Sequence, residues 1–468
     1  MSFTSLTFYI FLAITLALYW LAGRKDFQNL ILLAASYIFY GWVNPLYALL
    51  LGSASLADYG LVQAMRHYPA RKRLFFTVAL VLNVGGLLLF KYFDFFVGSF
   101  TSALNSLGLR VDPFILGLVV PVGISFYTLK KISYILDCYR GTVKPERDFV
   151  RYAIYVAFFP QIFAGPIEPH RRFLPQLAQA RQWSIKFFEA AWPLLVMGLF
   201  KKIVIADNIN LIVDKIYLLD EPSGFLLLVG TLAFTVQILT DFSAYTDLSR
   251  GAAYLFGLET SENFRNPYLA LTPTQFWDRW HITLSDWLRD YIFFPARRFL
   301  MHRYRNTSKY VALLVPPLVT MLVSGLWHGA GWTFIVWGGL HGLMIVAYQL
   351  LGLGSNWKPD SKLKTFFAWG IMFSLLVFSW AFFRASSLAW LFNVLLKAPW
   401  IASQEDVVAG LAGLSFTAFY ATPLIIKLLL DRYFPKVEWL QGFYLAGLTL
   451  LVLVYANSGS PDFIYSQF

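Results

Sequence analysis

Residues 313–351 read LLVPPLVTMLVSGLWHGAGWTFIVWGGLHGLMIVAYQLL, and this stretch decides the class of fold. It contains no Asp, Glu, Lys or Arg, and each half is about long enough to cross a hydrocarbon core of roughly 30 Å. His328 lies in its middle, between Trp327 and Gly329. An ionisable side chain inside a membrane costs at least about 2.5 kcal/mol on insertion scales, so it is normally kept for a function. The stretch predicts two membrane-spanning helices around a buried functional histidine.

The composition of the whole chain extends this pattern. Of 468 residues, 58% are hydrophobic and 14% are charged, whereas soluble proteins carry about 25% charged residues. Apolar blocks recur throughout, without the strand alternation of outer-membrane barrels. We predict an all-α, polytopic integral membrane protein with about 11–12 transmembrane helices, plus re-entrant and interfacial helices. The predicted crossings are 4–22, 28–43, 45–62, 74–93, 114–136, 187–205, 225–243, 310–326, 333–351, 365–383, 409–428 and 439–456, and the predicted re-entrant segments are 150–165 and 244–257.

The net charge of +12 admits nucleic acid as a partner, but the distribution of charge argues against it. Basic residues concentrate in alternate loops, which the positive-inside rule places in the cytoplasm. We therefore expect membrane lipid and no nucleic acid as a partner, with both termini on the extracytoplasmic side. Lys91 and the pair Lys201–Lys202 break the alternation, and we expect them to snorkel or to line a polar cavity. The basic loops are 24–25, 66–73, 140–151, 171–186, 265–309, 358–364 and 432–436.

The largest break in hydropathy is residues 258–310. No low-complexity linker is present, so we predict a single membrane-embedded domain over 1–468, with 258–310 as an interfacial helical region facing the cytoplasm. Thr272, Pro273 and Gln275 indicate a helix start, with Thr as N-cap and Pro in the first turn. The predicted helix carries His281 together with aromatic and charged residues, as helices at a membrane surface do. Its aromatic residues are Trp277, Trp280, Trp287 and Tyr291.

The histidines are the main candidates for chemistry. Six are present without a paired-ligand spacing, and Cys138 is the only cysteine, so we predict no metal site. His328 is suited to act as a general base that takes a proton from a hydroxyl as it attacks an acyl group. The alternative for His328 is a buried histidine that bonds a backbone carbonyl. His281 would orient the donor or stabilise the oxyanion.

Two further sets of residues leave alternatives open. The predicted inner end of one span contains Asp241, Tyr245 and Asp247. These residues form either a hydrogen-bond network at the helix end or the wall of a polar tunnel. His341 follows Trp337 by about one helical turn, and a hydrogen bond to a neighbouring helix competes with a functional role.

At these residues the chain resembles bacterial membrane-bound O-acyltransferases, of the type that O-acetylates alginate. The motifs with a histidine are FWDRWHITLSDWLRDYIFFP (276–295) and GLWHGAGWTFIVWGGLHG (325–342). The other matching stretches are PVGISFYTLKKISYILDCYRG (121–141), FFPQIFAGPI (158–167), GLFKKIVIAD (198–207), DFSAYTD (241–247), NFRNPY (263–268) and FIYSQF (463–468). Departures from the family pattern are Lys130–Lys131, which could meet an anionic donor, Asp278, and Ser466 in the last stretch.

The resemblance implies a mechanism. The essential histidine of the family corresponds to His328, and the second signature position to His281. A central tunnel would bring a cytoplasmic thioester, acetyl-CoA or an acyl carrier protein, and an external hydroxyl to one histidine, without a bound cofactor. The acyl group would pass to an extracytoplasmic partner transferase of the SGNH-hydrolase type that modifies an exopolysaccharide or cell-wall polymer, which places the chain in the bacterial inner membrane. Expected substrate-binding or tunnel residues are Asp241, Tyr245, Asp247, Ser285, Trp327, Trp332 and Lys130.

Alternative functions use the same residues differently. The related proteins that D-alanylate teichoic acid share both histidines and draw on a carrier protein. A non-catalytic acyl conduit would leave the chemistry to the partner. A transporter with a gating histidine is less well supported, because the sequence shows no internal repeat.

Overall fold

The computed structural model describes residues 1–42, 44–303, 309–456 and 463–464. The chain divides into two compact units. The first contains Met1–Trp192 and Ser249–Ser261, and the second contains Pro193–Leu248 and Glu262–Ile464. In these described ranges the regular secondary structure is helical, with one isolated bridge between Phe264 and Trp280 and no strand. The all-α class is confirmed, while a single domain over 1–468 stays a prediction.

The first unit is built from α1 to α8, and polar caps begin several of its helices. The side chains of Ser5, Asn44 and Asp148 accept backbone N–H bonds at the starts of α1, α3 and α7, which satisfies groups that a helix leaves unpaired. The helices are α1 (Leu6–Leu21), α2 (Lys25–Gly41), α3 (Pro45–His67), α4 (Lys72–Leu87), α5 (Phe93–Ser106), α6 (Ile124–Arg140), α7 (Phe149–Ala157) and α8 (His170–Leu177).

The second unit holds most of the remaining helices, while α9 and α11 have residues in both units. A π-helical segment, Phe200–Ala206, joins α9 to α10, and another, Arg289–Phe293, joins α13 to α14. The helices are α9 (Ile185–Leu199), α10 (Asp207–Tyr217), α11 (Gly224–Leu255), α12 (Pro273–Trp277), α13 (Ile282–Leu288), α14 (Phe294–Arg303), α15 (Lys309–His328), α16 (Trp332–Leu350), α17 (Lys362–Arg384), α18 (Leu388–Lys397), α19 (Gln404–Tyr433) and α20 (Glu438–Tyr455).

Eight helices among the described residues are long and apolar enough, by length and composition, to cross a membrane. They confirm a polytopic membrane protein. The predicted crossings at 4–22, 28–43, 114–136 and 187–205 fall instead on α1, α2, α6 and α9, which are shorter or more polar. The eight are 45–67, 69–106, 224–255, 311–328, 332–350, 362–384, 404–433 and 438–455.

Two sequence predictions need correction, and one helix was not predicted. The crossing at 114–136 was predicted too early, because the helix begins only at Ile124, after Pro121 and after Gly123 at a positive φ of 79°. Residues 244–257 are not a separate re-entrant segment, because α11 continues without a break to Leu255. The apolar helix α18, Leu388–Lys397, was missed because its ten residues are too few for a crossing.

Two glycines allow α15 and α16 to approach each other at backbone distance. A Cβ on Gly338 would collide with the carbonyl oxygen of Met321, and a Cβ on Gly325 would collide with that of Phe334. Small residues at such contacts are how helices pack closely in membranes, where lipid removes the hydrophobic drive between helices. The α15–α16 pair therefore holds the end of α15, and with it His328, in a fixed position.

We expect Gly338→Ala to lower the free energy of unfolding by about 1–3 kcal/mol, because the new methyl group meets a backbone atom that cannot rotate away. The neighbouring Gly339→Ala is the matched control, since its Cβ would lie 3.7 Å from Cδ2 of Leu322, an ordinary contact. Thermal unfolding in detergent compares the two. Equal midpoints for both variants would show that the α15–α16 contact is not close.

Candidate active site

His328 is the last residue of α15, at the link of three residues that leads into α16. Its side chain is buried, with 2% exposed. Three aromatic rings contact the imidazole edge to face: Trp327 at 5.0 Å, Trp337 at 5.1 Å and Phe383 at 5.3 Å between centroids. The sequence predicted a buried histidine here. In the structure, aromatic residues from α15, α16 and α17 surround it.

His281 lies in a break between two helices, where the sequence predicted one continuous helix. The capping of α12 is confirmed, because Thr272 Oγ1 accepts the N–H of Gln275 at 3.2 Å. The helix ends at Trp277, however, and His281 adopts a left-handed conformation with φ 44° before α13 begins.

Long-range backbone bonds cause this break. The N–H of Arg265 donates to the carbonyl of Arg279 at 2.9 Å, and the N–H of Ile282 donates to the carbonyl of Asn263 at 3.0 Å. These bonds engage backbone groups on both sides of His281 that a continuous helix would use internally. The backbone conformation at His281 is therefore fixed by hydrogen bonds to the extended segment 263–265.

The Asn263 side chain also determines the tautomer of His281. Its Oδ1 accepts the backbone N–H and the hydroxyl of Thr283, at 3.1 and 2.9 Å, and lies 3.3 Å from Nδ1 of His281. Since an amide oxygen only accepts, Nδ1 carries the proton and Nε2 carries the lone pair. Complete burial lowers the pKa of the His281 imidazole to about 3, so the ring is neutral at physiological pH.

One indole brings the two histidines together. The ring of Trp327 lies 5.8 Å from the His281 ring and 5.0 Å from the His328 ring. These histidines are far apart in the sequence, in an interfacial segment and at the end of a membrane-spanning helix. A single buried aromatic cluster in the second unit therefore contains both residues that the sequence singled out.

The predicted residues on α11 form a second cluster in the same unit. Asp241 accepts from Lys202 Nζ at 2.9 Å, and Asp247 accepts from Lys201 Nζ at 2.7 Å. Lys202 also binds Asp207 at 2.9 Å and is buried, so it does not snorkel. This supports the helix-end network as the arrangement of these carboxylates.

The C-terminal segment packs on this second cluster. The N–H of Ile464 donates to Asp241 Oδ2 at 2.7 Å. The ring of Phe463 lies 5.2 Å from Tyr245, and Lys202 Nζ lies 4.5 Å from its centroid. Phe242, beside Asp241, contacts the His281 ring at 4.7 Å and so links the two clusters. The rest of the C-terminal motif, 465–468, lies outside the described residues.

Ser285 borders a cavity of about 180 Å³ in the second unit. Its hydroxyl donates to the carbonyl of Trp280 at 3.1 Å. Trp277 and Met321 form part of the apolar wall, while Asp286 and Arg289, paired at 2.8 Å, lie at the polar side. Burial is the main cause that raises the pKa of the Asp286 carboxyl. The cavity lies beside the segment that carries His281.

The other predicted residues have different surroundings. Trp332 begins α16 and is 55% exposed, whereas Trp337, which the sequence analysis did not select, is fully buried. Lys130 belongs to the first unit, where its Nζ donates to Gln161 Oε1 at 3.2 Å and lies 4.8 Å from the Tyr155 ring centroid. His341 bonds the neighbouring helix α17 through Ser379 at 3.1 Å, which was one of its two expected roles.

We expect two substitutions of His281 to separate its backbone role from its chemical role. His281→Asn keeps a residue that tolerates the left-handed conformation, and its short amide reaches Asn263 but not the position of Nε2. The rate of the acyl transfer that the sequence leads us to expect should fall at least about tenfold with little change in stability, whereas His281→Ala should also lose about 1 kcal/mol through the missing hydrogen bond. Transfer rate and thermal unfolding test this. Full activity in His281→Asn would show that His281 only sets the backbone conformation of the turn and has no chemical role.

A profile of the membrane-bound O-acyltransferase family matches residues 146–381, which contain His281 and His328. The chain belongs to this family and is an acyltransferase enzyme embedded in a membrane. It is 37% identical to the probable alginate O-acetylase AlgI of Pseudomonas putida, over 83% of this chain and 78% of that protein. It is 32% identical to the peptidoglycan O-acetyltransferase of Helicobacter pylori, over 78% and 73% of the two chains. It is 25% identical to the teichoic acid D-alanyltransferase of Bacillus subtilis, over 57% and 69%.

Proposed function

We propose that this chain transfers an acetyl group from a cytoplasmic thioester to an extracytoplasmic hydroxyl during the O-acetylation of a cell-surface polysaccharide. The observation that carries the proposal is the contact of one buried indole, Trp327, with both His281 and His328. The names of the relatives support acetyl as the acyl group, since the proteins at 37% and 32% identity are O-acetylating enzymes.

His328 acts as the general base in this proposal. It takes the proton of the acceptor hydroxyl as the oxygen attacks the thioester carbon, and it returns the proton to the departing thiolate. The imidazolium that forms in between lies at the C-terminal end of α15, where a helix dipole stabilises positive charge. His281 orients the donor through the Nε2 lone pair.

The donor is acetyl-CoA or an acyl carrier protein, both of which are acidic and approach from the cytoplasm. The segment 258–310 is the proposed docking face, although residues 304–308 lie outside the described residues. Arg265 and Arg289 are engaged by Glu262 and Asp286. The exposed Arg297 and Arg298 on α14 are therefore the better candidates for contacting the donor.

The acceptor side completes the proposal. In it, a tunnel leads from the donor face past His328 to the outer face of the bacterial inner membrane, and both termini lie outside. An extracytoplasmic transferase of the SGNH-hydrolase type receives the acetyl group and passes it to the polymer. D-alanyl transfer is the second candidate, but relatives of that name are less similar to this chain.

The test uses an alginate-producing bacterium that lacks its own O-acetylase. Expression of the chain should restore base-labile acetate on the polymer. Purified chain in lipid nanodiscs should release free thiol from acetyl-CoA or from an acetylated carrier protein when an acceptor is supplied. Restoration of D-alanyl esters in a second host that lacks its teichoic acid D-alanyltransferase, with no acetate restored in the first, would favour the second candidate. Transport of a solute without any acyl donor would instead identify a transporter.

A further inference from the structure

The indole N–H of Trp337 is a buried donor beside the proposed base. Trp337 is fully buried, and within the described residues its Nε1 meets no hydrogen-bond acceptor. Its ring lies 5.1 Å from the His328 ring, at 90°. A buried tryptophan N–H usually finds a partner, and an unsatisfied one can donate to a ligand atom that reaches it. The contact with His328 distinguishes Trp337 from Trp380, whose N–H also meets no acceptor among the described residues.

Acyl transfer requires such a donor. When the hydroxyl oxygen bonds to the thioester carbon, the carbonyl π electrons move to the carbonyl oxygen and create an oxyanion. The intermediate collapses as the C–S bond breaks, and the thiolate takes the proton held by His328. Donors already aimed at the position of the oxyanion stabilise this charge without reorganisation.

His281 is not suited to this task. Its Nδ1 proton is directed to Asn263 Oδ1, and its neutral ring offers a lone pair at Nε2. A lone pair repels an oxyanion. The nearby N–H of Gly329 already donates to the carbonyl of Gly325 at 3.4 Å.

Neighbouring contacts fix the orientation of the Trp337 ring. His341 packs on it at 4.7 Å, and Nε2 of His341 donates to Ser379 Oγ at 3.1 Å, whose own proton goes to the carbonyl of Leu376. Phe383 packs on the indole at 5.1 Å and on His328 at 5.3 Å. The indole is therefore preorganised beside the base, as an oxyanion donor must be.

We propose that Trp337 is a catalytic residue whose Nε1–H donates a hydrogen bond to the acyl oxyanion formed at His328. This inference rests on the proposed acyl transfer at His328 and assigns a partner for the reacting carbonyl oxygen. The two rings are 5.1 Å apart between centroids, so the indole lies beside the position at which a hydroxyl held on His328 would attack a carbonyl carbon.

The experiment compares two tryptophans that differ in their contact with the base. Trp337→Phe removes the N–H and keeps an aromatic ring. Trp380→Phe is the matched control, because Trp380 is also fully buried with an N–H that meets no acceptor among the described residues. Among the described residues, its ring contacts Phe234, Trp280, Trp337 and Phe383, and not His328.

We expect kcat of acetyl transfer from a thioester to fall about 10²–10³-fold in Trp337→Phe, with KM little changed, and to change less than about fivefold in Trp380→Phe. Equal losses in both variants, or a Trp337→Phe enzyme with normal kcat, would overturn the proposal. Benzothienylalanine at position 337 replaces N–H by sulfur in the same bicyclic shape. It should reproduce the loss even where phenylalanine leaves a cavity, and normal kcat with this residue would also overturn the proposal.

His328→Gln is measured in parallel. An inactive His328→Gln enzyme beside a fully active Trp337→Phe enzyme would reject only the oxyanion donor. An active His328→Gln enzyme would instead reject the proposed function on which the donor depends.

Discussion

His328→Gln should abolish the proposed O-acetylation of the polymer, with the transfer rate lowered by about 10²–10⁴-fold, the usual contribution of a general base. Glutamine is close to histidine in size and can occupy the space between Trp327, Trp337 and Phe383. Its amide cannot accept the proton of a hydroxyl at physiological pH. The variant thus removes the proposed base while the aromatic walls keep their positions.

The measurement is acetyl transfer in nanodiscs, together with base-labile acetate on the polymer in cells that contain equal amounts of protein. His341→Gln is the matched control, because His341 is also a buried histidine of the α15–α16 pair. Its glutamine amide can still donate to Ser379. This control keeps the bond to Ser379 and loses only the packing of the imidazole on Trp337, so we expect it to retain transfer within about tenfold. If His328→Gln acetylates normally, the chemistry takes place elsewhere and the chain acts as a conduit.

Lys202→Met should lower the free energy of unfolding by about 3–5 kcal/mol, the cost of breaking a buried ion pair and leaving charge uncompensated. Lys202 Nζ lies 2.9 Å from both Asp207 and Asp241, and its side chain is 2% exposed. Methionine has similar length but no charge, so two carboxylates would remain without their cation. The repulsion between them acts in an apolar interior and is little screened by salt.

Lys201→Met is the control for this second substitution. The pair of Lys201 with Asp247 has side chains 17% and 14% exposed, and we expect its loss to cost about 1 kcal/mol or less. Unfolding midpoints in detergent compare the two variants. The double variant Lys202→Met with Asp241→Asn should recover part of the stability, because one of the abandoned charges is gone. Equal midpoints for Lys201→Met and Lys202→Met would refute the central role of Lys202.

Lys202→Met should also expose the C-terminal segment. Asp241 accepts a hydrogen bond from the N–H of Ile464, and the ring of Phe463 packs against Lys202. With the cation gone, cleavage after Phe463 by a protease of suitable specificity should become faster than in the Lys201→Met control. This links the ion network on α11 to the position of Phe463 and Ile464.

The membrane class and the positions of most long apolar helices could be predicted from the sequence. Backbone groups in lipid must be satisfied within a helix, so apolar length alone is informative. The cap of α12 could also be predicted from the sequence, because Thr272, Pro273 and Gln275 act within one turn. Such features depend on residues that are near neighbours in the chain.

The break at His281 could not be predicted in this way. It results from backbone bonds to residues 263–265, more than ten positions away. The choice of Trp337 over Trp332 as a wall of His328 depends on the phase of α16 against α15 and α17. Likewise, Lys202 and Asp241 were both noted in the sequence, but their pairing across 39 positions appears only in the folded chain.

The short link between α15 and α16 bears on how the chain is made. Only Gly329, Ala330 and Gly331 separate the two helices, and glycines let their backbones meet directly. Two helices joined in this way can leave the insertion machinery together as a hairpin, already packed against one another. Trp327 and Trp337 of such a hairpin already flank His328, near its tip, so the ring would leave a water-filled channel partly covered by protein, which lowers the penalty for an ionisable group in lipid.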